Sequence, residues 1–238
     1  MKKIIEQLVI LGFSPGSVCN ITETAYELFG CTSFKIIKNI DVQEKGVPYI
    51  HQSLTCTIYD LDSIQENRVN IKLQHVHFGV NHSHIRPIIF KEFNKKLGVD
   101  RKQYISLIHP TSHIAMSSVY QEGFLAEPNS VVSSFSDLGF GVNIKRGSSV
   151  GHHCKLGDYV TLNPGAILSG FVNVGEGTEI GTGASVLHEI SIGKNCLIGA
   201  GSVVTRDIPD GVVAYGNPCK VIRKNERWEK TKSLLEQM

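Results

Sequence analysis

Residues 150–186 read VGHHCKLGDYVTLNPGAILSGFVNVGEGTEIGTGASV, a run in which every sixth residue is aliphatic. Val150, Leu156, Leu162, Leu168, Val174, Ile180 and Val186 set the beat, with small or turn-forming residues between them. Extended both ways, the beat starts at Ile108 and passes through Ile114, Tyr120, Ala126, Val132, Leu138 and Ile144. It continues after Val186 through Ile192, Ile198 and Val204, seventeen positions in one register. Four residues after each beat the side chain is usually small, as at Ser136, Ser148, Cys154, Ala166, Thr178 and Ala184. The residue just before that small one is often Gly or Asn, as at Asn129, Gly141, Gly147, Gly165 and Asn195. Gly and Asn adopt positive φ at low cost, which a sharp corner requires. An α-helix repeats every 3.6 residues and a flat strand every two, so neither explains a period of six. Short strands joined by tight corners do. Three sides close a triangular coil of about eighteen residues, and coils stack at the strand spacing of roughly 4.8 Å.

Glycine follows the same division, since 17 of the 23 lie between residues 106 and 222. The chain thus divides into 1–105, 106–222 and a short helical tail at 223–238. In the first part QLVIL (7–11) reads as a strand, GFSPGS (12–17) as a turn and the stretch from about Thr22 to Phe29 as a helix. FKII and VHFGV are further strand candidates, and HIRPIIFKEFNKKLG (84–98) an amphipathic helix. Strand, glycine turn and helix in that order suggest a small Rossmann-like α/β unit that cradles phosphate at a helix N-terminus.

The bulk numbers exclude several classes. Lys and Arg total 24 against 22 Asp and Glu, which argues against a non-specific nucleic-acid grip. The six cysteines (19, 31, 56, 154, 196 and 219) are scattered without a CxxC pair and read as thiols of a reducing compartment. The start, MKKIIEQLVILGFSPGSVC, imitates a secretory signal, but Glu6 and Gln7 interrupt its apolar core. No stretch is long enough to span a membrane. A cytoplasmic location is expected.

The repeat, together with the closing IGAGSVVTRDIPDGVVAYGNPCKVIR (198–223), resembles the hexapeptide-repeat acyltransferases. That resemblance implies a left-handed parallel β-helix, usually trimeric, with a coenzyme A thioester in the groove between neighbouring copies. The α/β unit, the lead-in LIHPTSHI (107–114) and SSVGHHCKLGDYV (148–160) narrow it. Together they resemble the sugar-nucleotide N-acetyltransferases of bacterial surface-glycan (lipopolysaccharide, O-antigen) pathways and the sialic acid O-acetyltransferase-like proteins. The implied reaction is acetyl transfer from acetyl-CoA to the amino group of a nucleotide-linked deoxyamino sugar. O-acetylation, a longer acyl donor and a non-catalytic sugar-nucleotide-binding scaffold are the alternatives. The nucleotide (UDP, dTDP or GDP) and the sugar stay open.

Position by position, the resemblance places the catalytic histidine at His152, and the next residue, often acidic in the family, is His153. With Val150 pointing inward, His152 is expected to point outward near a corner and His153 to sit on the corner. An imidazole takes up a proton near neutral pH, as an amine attacking a thioester requires. One coil on, the Gly170 amide corresponds to the donor for the thioester oxygen. Thr161, Thr182 and Ala200 correspond to positions near the coenzyme A arm. The basic exit with Lys220, Arg223 and Lys224 is expected either to meet the coenzyme phosphates or to be a solvated basic tail. Ser14, Gly16 and Gly79, with Lys38 and Asn39 where acidic residues are common, correspond to the sugar-nucleotide loops. Pro15-Gly16 and Lys145-Arg146 also depart from the family pattern, on the acceptor side. His188 lies two coils from His152, roughly 10 Å along the axis at the strand spacing. The three converging imidazoles of a zinc carbonic anhydrase have no matching spacing, and no metal is expected.

Overall fold

The computed structural model describes residues 4–39, 51–66 and 71–238. The basic start of the signal-like segment lies outside them.

A four-stranded parallel sheet opens the chain. Its strands are β1 (Gln7–Leu11), β2 (Ser33–Lys38), β3 (Thr55–Asp60) and β4 (Val76–Phe78), in the order β3-β2-β1-β4. Apolar β1 is central and nearly all buried, as a strand covered on both faces must be. Helix α1 (Pro15–Phe29) begins seven residues before the expected Thr22. Pro15 takes the first helical position, where its missing N–H costs nothing, and Ser14 is extended at the cap with φ −142°. Gly30, at φ 68°, ends the helix. The short helix α2 (Leu61–Gln65) and strand β3 were not apparent in the sequence, because TCTIYD is exposed or half-buried along its length. Helix α3 (Arg86–Leu97) falls within the expected 84–98, again with proline near its start and glycine after its end.

From Leu107 the chain makes seventeen two-residue strands, the last being Val203–Val204. Each ends on one of the seventeen beat residues, and the first fourteen pair in parallel with the strand eighteen residues on, for example Ser149–Val150 with Ile167–Leu168. The strands stack into three sheets, the faces of a prism. This is the left-handed parallel β-helix that the resemblance implied. Its interior is the column of beat residues and the small or aliphatic residues four further on, from Phe124 to Ala214. Each fully buried Leu, Ile or Val contributes roughly 1.5–3 kcal/mol relative to exposure. The first coil is the exception, with Ile108 and Ile114 half-buried and Tyr120 43% exposed, because it has no full turn beneath it.

The chain leaves through a hairpin, β22 (Val212–Tyr215) and β23 (Lys220–Lys224), and ends in α4 (Glu226–Gln237). Helix α4 folds back onto the rest: Trp228 is buried, Thr231 donates to the His84 carbonyl at 3.3 Å, and Lys91 donates to the Leu235 carbonyl.

The α/β unit and the β-helix share a core. Phe78 packs against Phe140 and Tyr159 of the coils and Tyr104 against Phe140, with ring centroids 5.2–6.1 Å apart. Arg86, fully buried at the start of α3, donates to the Thr161 hydroxyl at 2.8 Å and to the Tyr159 carbonyl. No helix among the described residues is long and apolar enough to cross a membrane, and none of the six cysteines forms a disulfide.

Candidate active site

Fourteen successive corners of the prism, from Gly123 to Gly201, carry positive φ. They stack in three columns. One is Asn129, Gly147, Gly165, Gly183 and Gly201, and another is Gly123, Gly141, Tyr159, Gly177 and Asn195. Both are built mainly from residues that accept this conformation. The third column is Phe135, His153, Phe171 and Glu189, at φ 57–61°, where bulky side chains make it costly. Backbone strain gathered in one place is characteristic of functional sites. It gathers beside the tandem histidines.

The side chains of this column form a stack. His153 lies flat on Phe171, with centroids 4.7 Å apart and planes 11° apart, and Phe135 covers its other side at 5.1 Å. His152 and His153 are both exposed, and Val150 is fully buried, as the register requires. The Nδ1 atoms of the two rings are 3.1 Å apart. Only one of them can carry the hydrogen. With it on His152, the His152 Nε2 keeps its lone pair and is a base.

Gly170 explains where the His152 ring lies. A Cβ at Gly170 would meet His152 Cε1 and Nε2 at 2.6 Å, so the imidazole occupies the space a side chain would fill. The Gly170 N–H makes no backbone hydrogen bond among the described residues, whereas the neighbouring Phe171 N–H is taken by the His152 carbonyl at 2.8 Å. His188 comes closer than the axial spacing suggested. Its ring is 6.4 Å from that of His152 and 5.5 Å from Phe171, and its Nε2 is 3.4 Å from Glu189 Oε1. Phe135 and Phe171 were missed in the sequence, and His188 was weighed there only against a metal site. The available signal was the set of corners, 135 and 171 among them, that lack the Gly or Asn found at most others.

The expected coenzyme positions separate. Thr182 and Ala200 are exposed, one coil apart, at the corner column of Gly183 and Gly201. Thr161 is a correction: it is fully buried beneath the α/β unit, where its hydroxyl accepts from Arg86 and donates to the Asn81 carbonyl at 3.3 Å. It is therefore not on the exposed surface that carries Thr182 and Ala200. Lys220 is exposed at the start of β23.

The expected acceptor positions converge at the carboxyl edge of the parallel sheet. Ser14 and Gly16 form the start of α1 just after β1, Lys38 and Asn39 end β2, and Gly79 follows β4. A Cβ at Gly79 would lie 2.1 Å from the Gly12 carbonyl oxygen, so glycine there lets the two loops touch. Gly16 is open, with nothing within 4 Å of a Cβ. Lys38 pairs with Asp60 at 3.8 Å, and Asn39 donates to Glu92 at 2.7 Å. The order β2-β1-β4 makes this edge a topological switch point, where open α/β sheets bind ligands.

The α/β unit covers the corner of Gly141 and Tyr159, where Phe78 packs. The histidine corner is a different one, and within one chain it stands uncovered, with Phe135 63% and Phe171 42% exposed.

Known proteins bear on this arrangement. A sequence model described as bacterial transferase hexapeptide (six repeats) matches residues 171–206. No curated protein matches the chain by sequence. Among solved structures, the acetyltransferase domain of PglB from Neisseria gonorrhoeae, in complex with acetyl coenzyme A, is 28% identical. The match covers 91% of this chain and 99% of that one, with a TM-score of 0.72. A histidine-to-asparagine mutant of perosamine N-acetyltransferase from Caulobacter crescentus, in complex with CoA and GDP-perosamine, is 25% identical. There the match covers 92% and 97%, with a TM-score of 0.74. WeeI from Acinetobacter baumannii shares the fold at 23% identity, 91% and 99% coverage and a TM-score of 0.72.

Proposed function

We propose that this hexapeptide-repeat acyltransferase moves the acetyl group of acetyl-CoA to the amino group of a nucleotide-linked deoxyamino sugar, with His152 as general base. The observation that carries the reading is the exposed His152 ring, seated over Gly170 and tied through Nδ1 to His153. The likeness to structures holding acetyl coenzyme A, and CoA with GDP-perosamine, supports the substrate classes.

In this reading the amine attacks the thioester carbonyl and His152 Nε2 takes the amine proton as the C–N bond forms. The Gly170 N–H donates to the oxygen that becomes negative, at no cost of reorganisation. The carbon–sulfur bond then breaks, and the leaving thiolate takes the proton from the imidazolium. His153 Nδ1 accepts from His152 Nδ1–H throughout, in the place where the resembled enzymes often have an acid. The nucleotide lies at the sheet edge of Ser14, Gly16, Lys38, Asn39 and Gly79, its phosphates at the start of α1.

A homotrimer is part of the proposal. Thr182 and Ala200 occupy one corner of the prism and His152 another, so a coenzyme touching both bridges two copies. The exposed Phe135, Phe171, Val131 and Ile167 support a neighbour beside the histidine corner. We place the enzyme in bacterial surface-glycan synthesis, in the cytoplasm.

The test is thiol release from acetyl-CoA with UDP-, dTDP- and GDP-linked amino sugars, with the product identified by mass spectrometry and the assembly by light scattering. An acetamido sugar and a trimer are expected. An ester product would give O-acetylation instead. No release with any acceptor, despite sugar-nucleotide binding, would favour a scaffold. An active monomer would sink the bridging site.

A further inference from the structure

The segment NHSHIRP (81–87) joins β4 to α3, and the reaction proposed above gives its alternating histidines no role. His82 and His84 stand with ring centroids 5.5 Å apart, opposite Glu179 on the β-helix. One donor atom from each of the three lies within 4.8 Å of the other two, and among the described residues no other such His, Cys, Asp or Glu trio is found.

We propose that His82, His84 and Glu179 form a binding site for a divalent transition metal, best suited to zinc. Two imidazoles and one carboxylate are a donor set that zinc takes with a fourth position left to water. Imidazole nitrogen also selects against magnesium and calcium, which prefer all-oxygen surroundings. Around tetrahedral zinc the donor atoms sit about 3.4 Å apart, so the three ligands close by a small rotation of the surface ring His82. The supporting groups are in place. Asn163 Nδ2 donates to Glu179 Oε1 at 2.9 Å, and Asn163 Oδ1 accepts from Lys145 at 2.8 Å. Such outer hydrogen bonds orient a ligating carboxylate. The His84 carbonyl is held by Thr231, and its ring meets Trp228 edge-on at 6.5 Å. A small pocket lined by His84, Glu179, Asn225, Arg227 and Trp228 adjoins the site, and exposed His82 is its way in. Arg86 and Arg227 oppose a cation here and limit its affinity. The Arg86 fork, however, is turned to the Tyr159 carbonyl and the Thr161 hydroxyl.

The ion would bind the loop after β4, the β-helix and, through His84, helix α4. It would act as a clamp between parts of the fold. The sequence search for metal sought only three converging imidazoles and so passed over a carboxylate from a distant coil.

Full-length protein stripped with chelator, then dialysed against zinc, should retain one zinc per chain by mass spectrometry and melt at a higher temperature. Cobalt(II) should give the visible absorption of a tetrahedral site. Glu179→Gln and His82→Asn, checked for folding by circular dichroism, should lose both signals. Asn163→Ala should weaken binding roughly 10- to 100-fold. His152→Asn should leave metal binding unchanged. Absence of stoichiometric zinc in the unaltered protein overturns the proposal. So does retention of zinc by both ligand variants, which would put the ion at the cysteines or the other histidines. Neither outcome depends on the acyl-transfer reading.

Discussion

His152 and His153 face each other through their Nδ1 atoms at 3.1 Å, and His153 is clamped between Phe135 and Phe171. The stack fixes one ring, and the contact between the Nδ1 atoms fixes the direction of the other. In many active sites a carboxylate does this for histidine. Here the partner is a second imidazole, a neighbour that brings no fixed negative charge.

Replacing His152 with Ala or Asn should lower acetyl transfer by roughly two to four orders of magnitude, the usual worth of a positioned general base. Binding of acetyl-CoA and of the sugar nucleotide should be nearly unchanged. His153→Ala should cost less, since it removes the orienting partner and not the base. Steady-state kinetics on both variants, with calorimetry for the ligands, decides the order. A reversed order would make His153 the base.

Gly170→Ala separates geometry from folding. Its methyl group would meet the His152 ring at 2.6 Å, and the ring is a flexible end that can swing away. The melting temperature should change little while turnover falls about a hundredfold, the scale of a 1 Å misplacement. Unchanged turnover would mean that the ring position over Gly170 is irrelevant to catalysis.

Gly16→Trp fits into open space and should spare the fold. It should weaken sugar-nucleotide binding and leave acetyl-CoA binding alone, as measured by calorimetry. Equal loss for both ligands would contradict the division of labour between residues 1–105 and the β-helix.

Arg86→Met tests the seam between the two. It strips the Tyr159 carbonyl and the Thr161 hydroxyl of their buried donor. A loss of about 1–3 kcal/mol is expected for each buried acceptor left without its donor. Arg86→Lys should restore only part of it, since ammonium lacks the planar fork. Chemical denaturation measures both.

Acid should destabilise the fold through His77. Burial lowers its pKa from 6.5 to about 4, with the hydrogen bond to the Ile105 carbonyl opposing and Arg86 adding to the shift. The unfolded ring is protonated below pH 6.5 and the folded ring only below about 4. Stability is therefore full above pH 6.5 and falls as the pH drops towards 4, by on the order of 3 kcal/mol. His77→Gln keeps a donor for Ile105 and should flatten that acid limb in melts taken across the window.

The β-helix was legible in the sequence because its rule is local. A coil repeats the same short-range demand, one residue inward and one small residue before the next side, so the period appears without tertiary information. The beat from Ile108 to Val204 consequently placed all seventeen strands and put His152 outside. Other features depend on groups far apart in the chain. Thr161 looked like a surface residue of its coil until the α/β unit covered it with Arg86. Strand β3 carries too little apolar character to stand out, and it exists because β2 offers it a paired edge. His188 approaches His152 because Gly170, in the coil between them, has no side chain. Spacing along one chain fixed which residues share a corner. Which corner is covered, which ring lies on which, and which charge is buried were decided by packing between segments, where contact energies depend on distances that the order of residues does not contain.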